Sequence, residues 1–170
     1  PVLQAPGFEA DDLIGCLAKR AEKEGFDVFM MTPDKDFAQL VTDKIRMFRP
    51  GRGGNPASVW GPEEVRERYG LEDPKQVIDL LGLMGDSADN IPGVPGVGEK
   101  TAIKFLQAYG SMEGVYEHVH ELKGKMKEKV EANREMAFLS RELATIVLDI
   151  DFDEDFPAMA LAPANVETVS

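Results

Sequence analysis

A glycine- and proline-rich run at residues 91–102 constrains the fold of this chain more than any other feature. Its sequence is IPGVPGVGEKTA, and it joins two segments that both show helical periodicity. A dinucleotide-binding fingerprint needs a preceding strand, and a Walker loop needs lysine directly after its second glycine, whereas here Glu99 separates Gly98 from Lys100. The run therefore predicts a helix–hairpin–helix, with a plain tight turn between helices as the alternative.

A hairpin of this kind can bind phosphate groups without contacting bases. Its glycines let the backbone approach a ligand, and free amides at the start of the following helix point towards an anion. Lys100 and Lys104 lie one turn apart on that helix and add positive charge. The predicted DNA-binding residues are Gly93, Val94, Gly96, Val97, Gly98, Lys100, Thr101 and Lys104.

The predicted secondary structure changes near residue 61, from strands and helices to helices alone. The first part predicts strands at residues 2–3, 27–32, 44–48 and 58–60, with helices at residues 10–24 and 36–41. The almost wholly apolar run 27–32 is typical of a buried parallel strand. Helices are predicted afterwards at residues 62–69, 74–84, 99–108, 112–120 and 133–148. We expect an α/β fold class with a partial parallel sheet at 1–61, an all-helical subdomain at 62–150 and a tail or linker at 151–170.

Five carboxylates fall in the α/β part, at Glu9, Asp11, Asp12, Asp34 and Asp36. Acidic side chains in the first turn of a helix interact favourably with the positive end of its dipole, and aspartate is common in turns. A structural role alone would therefore also explain these five carboxylates. Asp34 and Asp36, however, directly follow a predicted strand, at the edge where open α/β sheets bind ligands. Crowded anions need protons or divalent cations, and ligands that are all oxygen favour Mg²⁺ or Mn²⁺.

A second acidic pair, Asp86 and Asp89, follows the predicted helix 74–84. An anion there faces the negative end of the helix dipole, although an Asx-turn would also account for it. We expect this pair to fold back onto the first cluster and share its cations. Two metal ions about 4 Å apart could then activate water and stabilise the leaving oxygen of a phosphodiester.

The formal net charge of −12 has the wrong sign for a protein that simply coats DNA. Metal ions would neutralise part of it, and backbone amides can hold phosphates in an acidic protein. A basic strip of lysines at positions 123, 125, 127 and 129 is interpreted as a solvated helix face. The single Cys16 excludes an internal disulfide and predicts a buried, reduced thiol in a cytoplasmic protein. No apolar run is long enough for a membrane span, and we expect a monomer.

Three motifs resemble the 5′–3′ exonuclease domain of bacterial DNA polymerase I, in the flap-endonuclease superfamily. They are GFEADD at 7–12, DKDFAQLV at 34–41 and MGDSADNIPGVPGVGEKTA at 84–102. The resemblance, from residue 1 to about 150, implies a PIN-like core, a helix–three-turn–helix that binds duplex DNA, a K⁺ ion in the hairpin, and a polymerase domain in the parent chain. The family's metal ligands are matched by Glu9, Asp11, Asp12, Asp34, Asp36, Asp86 and Asp89, of which Asp11, Asp12, Asp34 and Asp36 are the implied catalytic residues. The implied reaction is two-metal hydrolysis of DNA at 5′ ends and flaps, in primer removal and repair.

The chain departs from the family pattern in two places. Pro33 stands where the family usually has glycine, which need not move the neighbouring carboxylates. The family's N-terminal section, with a first strand, two further aspartate ligands and a helical arch, is not matched. We therefore expect a fragment that alone binds metal weakly and shows little nuclease activity. Two alternatives are a non-catalytic module that binds double-stranded DNA and a PIN-type ribonuclease, which would explain the acids but not the hairpin.

Overall fold

Three strands and seven α-helices organise the chain in the computed structural model, which describes residues 2–51, 53–54, 56–151 and 156–160. The strands are β1 (Val28–Met31), β2 (Ile45–Arg49) and β3 (Ser58–Trp60). The α-helices are α1 (Ala10–Lys23), α2 (Pro62–Tyr69), α3 (Gln76–Met84), α4 (Glu99–Tyr109), α5 (Met112–Glu117), α6 (Gly124–Ala132) and α7 (Arg134–Ala144). Short 3₁₀ helices occur at Lys35–Leu40, Val119–Glu121 and Phe156–Met159. The predicted tail 151–170 lies mostly outside the described residues.

The sheet is mixed and has the order β1-β2-β3. β1 and β2 are parallel, with Val28 opposite Ile45, whereas β3 runs antiparallel to β2, with Trp60 opposite Met47. The α/β class is confirmed, but the prediction that the whole of β1 is buried is wrong. β1 is an edge strand, and Phe29 remains 53% exposed while Met30 is only 4% exposed. The strand predicted at residues 2–3 does not form in this structure.

The main hydrophobic core runs from the sheet into the helices. It contains Met30 and Met47 from the strands together with Leu80 from α3 and Leu106 from α4. α3 and α7 cross closely at Gly82, where an added Cβ would lie 3.0 Å from the Cα of Arg141. The boundary predicted at residue 61 therefore separates two kinds of secondary structure that share one core. No helix in the described ranges is long and apolar enough to cross a bilayer.

The structure corrects two of the predicted helices and adds a third. The helix predicted at 133–148 ends at Ala144, because Thr145 adopts extended backbone angles and residues 145–151 leave α7 as a non-helical segment. The helix predicted at 112–120 is divided into α5 and a 3₁₀ turn. The basic strip lies largely on α6, an additional helix that the periodicity did not identify.

Candidate metal centre and nucleic-acid interface

The start of α1 carries the first group of acids. Glu9 is the N-cap residue, and its backbone amide donates to Asp12 Oδ2 at 3.1 Å. Asp12 Oδ1 accepts the amide of Val147 at 2.8 Å, so this carboxylate also holds the segment that follows α7. Burial, followed by the charges of Asp34 and Glu9, raises the pKa of the Asp11 carboxyl. The acids here cap a helix and at the same time repel one another.

The second group follows β1 at the edge predicted from the sequence. Asp34 caps the 3₁₀ helix Lys35–Leu40, and its Oδ1 accepts the amide of Asp36 at 3.1 Å. The Asp36 side chain is 13% exposed, and its Oδ1 accepts no hydrogen bond from the part of the chain that the structure describes. Burial, together with the negative charges of Asp34 and Asp86, raises the pKa of Asp36 to about 6. A buried oxygen without a donor, in a group that resists ionisation, is well suited to a cation.

The turn between α3 and the hairpin carries the last two acids. The backbone N–H and C=O of Asp86 pair with those of Ile91, both at 2.8 Å. Asp86 Oδ1 accepts the amide of Ala88 at 2.8 Å, which is the Asx-turn considered as an alternative. Its Oδ2 accepts a hydrogen bond from Lys35, and this bond chiefly lowers the pKa of Asp86. Asp89, by contrast, is exposed.

The fold brings the acids of both halves together. One carboxylate oxygen from each of Asp36, Asp86 and Asp89 lies within 4.8 Å of the other two. A pocket of about 280 Å³ borders the same group, and its acidic lining comprises Glu9, Asp11, Asp12, Asp34, Asp36 and Asp89. Such a set of oxygens fits a hard divalent cation, since carboxylates at this spacing repel one another unless positive charge lies between them.

Two residues at this site were not identified from the sequence. Lys35 pairs with Asp86 and lies 3.7 Å from Asp36 Oδ1. Gln39 is buried, and its Nε2 donates to the carbonyl oxygens of Asp36 and Ala144 at 2.9 and 3.0 Å. Its Oε1 accepts the amide of Ile146 at 3.0 Å, so Gln39 fixes the pocket wall at residues 144–146. Both residues lie in the motif DKDFAQLV at 34–41. The position of Lys35 between two aspartates was a usable signal, whereas the pattern gave no reason to single out Gln39 within the motif.

The hairpin amides fall into two groups. In the first group, the Val94 amide donates to the Leu83 carbonyl and the Val97 amide donates to the Val94 carbonyl. The side chains of both valines are buried. The Gly93 amide donates to Ser140 Oγ at 3.0 Å. These three amides are therefore not available to a phosphate in this structure. Gly98 instead is the N-cap residue of α4 and provides no side-chain cap, which leaves the helix N-terminus open to an anion.

Several side chains surround that open helix end. Lys100 and Lys104 are exposed, and Thr101 is half-buried. Lys129 of α6 reaches the hairpin, since an added Cβ on Gly96 would lie 2.6 Å from its Nζ. Lys129 is exposed on α6, as a solvated helix face requires, and its ammonium also lies beside the hairpin backbone at Gly96.

Comparisons with known proteins identify the family of the chain. Residues 72–167 match the family model described as 5′–3′ exonuclease, C-terminal SAM fold, and residues 1–70 match 5′–3′ exonuclease, N-terminal resolvase-like domain. DNA polymerase I of Bacillus subtilis (strain 168) is 48% identical over 163 residues, which are 95% of this chain and 18% of that protein. The thermostable DNA polymerase I of Thermus thermophilus is 42% identical over 154 residues, 91% of this chain and 18% of that protein.

Solved structures give the same fold. T5 5′-exonuclease with bound zinc has a TM-score of 0.72 and 26% identity, over 85% of this chain and 52% of that one. The T5 flap endonuclease in a pseudo-enzyme–product complex with DNA and metal ions has a TM-score of 0.71 and 26% identity, over 87% of this chain and 53% of that one. The chain thus spans about half of the T5 proteins and 18% of the polymerases.

Proposed function

The chain belongs to the 5′–3′ exonuclease family, and on that premise we propose that it forms part of a metal-dependent nuclease acting on DNA at 5′ ends and flaps. One observation carries the proposal. Carboxylate oxygens from the 3₁₀ helix after β1 and from the turn after α3 lie within 4.8 Å of one another beside an acidic pocket. A protein that only bound DNA would have no use for this concentration of negative charge next to a phosphate-binding hairpin.

The residues proposed to hold metal are Glu9, Asp11, Asp12, Asp34, Asp36, Asp86 and Asp89. Their oxygen atoms favour Mg²⁺ or Mn²⁺ over softer ions, and two such ions would activate water and stabilise the leaving oxygen. Asp36 contributes a buried oxygen that needs a positive partner. Asp34 and Asp12 orient the surrounding backbone through the amides of Asp36 and Val147, and so hold the remaining carboxylates in place.

The hairpin is proposed to hold the duplex part of the same substrate. The open start of α4 offers amides to a phosphate, while Lys100, Lys104 and Lys129 add charge around it. The sequence resemblance also suggests K⁺ in the hairpin, which the close approach of Lys129 to Gly96 would disfavour unless that side chain moves. A polymerase domain in the same parent chain is proposed from the curated relatives.

We expect these 170 residues alone to cleave a flap slowly, and the structure offers a physical reason. β1 is the edge of the sheet, and Phe29 and Met31 on it are 53% and 75% exposed. A strand that has a neighbour on one side only and an uncovered apolar face is less stable than a strand paired on both sides. It therefore holds the carboxylates that follow it less firmly. Positioning errors of this kind lower turnover more than they lower DNA binding.

A non-catalytic DNA-binding module is the second candidate. It is favoured by the structural hydrogen bonds of two acids, Asp12 to the Val147 amide and Asp86 to Lys35. In that case the carboxylates of the acidic cluster would serve as helix caps and turn residues, and only the hairpin would be functional.

Calorimetric titration with Mn²⁺ separates these two functions. We expect saturable binding by the unmodified chain and its loss in the double variant Asp36→Asn, Asp89→Asn, which takes one ligand from each half. Asp27→Asn serves as the matched control, because Asp27 is exposed and outside the cluster. Equal heats that do not saturate in any of the three proteins would favour the binding module.

A substrate panel tests the reaction itself. Flapped DNA, nicked duplex DNA and single-stranded RNA are incubated with Mn²⁺ and the parent-length protein that contains this chain. Cleavage of the flap that Asp36→Asn abolishes supports the nuclease proposal. Cleavage of RNA alone would replace it with the ribonuclease alternative.

A further inference from the structure

Lys35 lies between the two acidic groups that form the proposed metal centre. We propose that Lys35 is a positioning residue that acts as a built-in counter-cation: its ammonium joins Asp36 to Asp86 in the metal-free protein and leaves when a divalent cation binds there. This inference rests on the proposed function, because it needs a cation at these carboxylates. It adds that metal and lysine compete for the same oxygens.

The geometry places the ammonium among the candidate ligand atoms. Lys35 Nζ donates to Asp86 Oδ2 and lies 3.7 Å from Asp36 Oδ1, an oxygen with no hydrogen bond. One carboxylate oxygen each from Asp36 and Asp86 belongs to the group of three, with Asp89, that lies within 4.8 Å. A cation that bridges this group cannot share the space with the ammonium, so one of them must leave.

The charges explain why the position carries a lysine. The Asp36 and Asp86 side chains are only 13% and 7% exposed, so a metal-free centre would hold poorly hydrated, repelling anions if Lys35 were neutral. The ammonium of Lys35, paired with Asp86 and 3.7 Å from Asp36 Oδ1, supplies the positive charge that these two carboxylates need.

Lys35 can also leave readily. Its side chain is 40% exposed, and a flexible lysine with a strongly hydrated ammonium returns to water at small cost. A divalent ion brings twice the charge and binds several carboxylates at once, so it can displace the lysine. The lysine therefore keeps the turn at Asp86 near the 3₁₀ helix until metal arrives, and it lowers metal affinity by competition.

The test compares Lys35→Gln with Lys35→Arg, which keeps the charge, and with Lys44→Gln, a control. Lys44 is exposed and donates to the Gly25 carbonyl, away from the acidic cluster. Mn²⁺ binding is measured by calorimetry, and thermal unfolding is followed with and without Mn²⁺. We expect Lys35→Gln to bind Mn²⁺ about tenfold more tightly than the unmodified chain, because the metal no longer has to break one partly screened ion pair. Its metal-free Tm should fall, and Mn²⁺ should raise that Tm more than in the unmodified chain.

The opposite results overturn the inference. A purely structural lysine would leave Mn²⁺ affinity unchanged or lower it in Lys35→Gln, because removal would loosen the ligands. If all variants bind Mn²⁺ and Lys35→Gln shows no gain in affinity, the role proposed for the lysine is rejected while the proposed metal centre stands. Absence of binding in every variant rejects both.

A second measurement covers the case in which Lys35→Gln does not fold. The chain is labelled with ¹⁵N at the lysine side chains, and the Lys35 ammonium signal is assigned by its loss in Lys35→Arg. A hydrogen-bonded ammonium exchanges slowly with water, so we expect a Lys35 signal in the metal-free protein that disappears on addition of Mg²⁺. Persistence of the signal at saturating Mg²⁺ would contradict displacement.

Discussion

At the scale of single residues, the site depends on polar side chains that bind the backbone of distant segments. Gln39 joins the 3₁₀ helix to residues 144 and 146, and Asp12 joins α1 to Val147. A buried amide group with all its partners present is costly to replace, because each partner loses its hydrogen bond away from water. Gln39 stabilises the shape of the pocket without being a proposed ligand, and Asp12 does so in addition to its proposed role as a ligand.

Replacing Gln39 with leucine should therefore weaken both stability and metal binding. The Ile146 amide and the Ala144 carbonyl would lose their partner, which costs about 1–3 kcal/mol in the free energy of unfolding. Urea unfolding measures the loss, and Mn²⁺ titration should show weaker binding. Gln107→Leu is the control, because Gln107 is exposed and its Nε2 donates to the Gly70 carbonyl at the surface. An equal small effect in both variants would contradict the proposed role of Gln39.

Metal affinity should rise steeply with pH around the pKa of Asp36. Burial raises that pKa to about 6, so below this pH a bound proton occupies the carboxylate and must be displaced by the metal. Mn²⁺ affinity should increase as the pH rises from 5 to 7, and the increase should be smaller in Asp36→Asn. Calorimetry at several pH values measures both curves. A flat curve for the unmodified chain would show that Asp36 is not a ligand.

At the scale of elements, the turn and the hairpin depend on glycine for two different reasons. Gly93 has φ of +60°, and an added Cβ would lie 2.3 Å from the backbone nitrogen of Gly85. Gly98 has φ of −95°, and an added Cβ would meet nothing within 4 Å. Gly93 thus allows two parts of the chain to touch, whereas Gly98 keeps the start of α4 clear.

The two glycines form a matched pair of alanine substitutions. Gly93→Ala should destabilise the protein by about 2–4 kcal/mol or prevent folding, since backbone strain and a backbone clash add together. Gly98→Ala should leave stability within about 1 kcal/mol but weaken duplex DNA binding, because the methyl group stands where a phosphate would approach. Thermal unfolding and fluorescence anisotropy measure the two effects. Normal DNA affinity in folded Gly98→Ala would argue against the start of α4 as the phosphate site.

At the scale of the whole molecule, the proposed duplex binding requires an acidic protein to hold a polyanion through a small positive region. The formal net charge is −12, while the hairpin is bordered by Lys100, Lys104 and Lys129. Duplex affinity should consequently depend on few ion contacts, and metal at the acidic pocket should improve it by reducing long-range repulsion.

The salt dependence of duplex binding tests this description. With about three phosphate contacts, log K against log salt should have a slope of about −3, and Lys129→Gln should reduce its magnitude by about one. Lys127→Gln is the control, because Lys127 pairs with Glu131 on α6 at 3.7 Å. An unchanged slope in Lys129→Gln would show that this lysine does not contact phosphate.

The sequence alone determined the features that depend on neighbouring residues. Helical periodicity, the glycines and prolines of the hairpin and the aspartates after β1 follow from local geometry, so the α/β class, most helices and the acidic positions were predicted. The end of α7 and the exposed face of β1 were not, because both depend on which other segments cover them. The pairing of Lys35 with Asp86, the Gln39 bonds to residues 144 and 146 and the approach of Lys129 to Gly96 were decided only by the tertiary structure. Each joins residues more than thirty positions apart, and only the packing of the intervening helices brings such side chains within bonding distance.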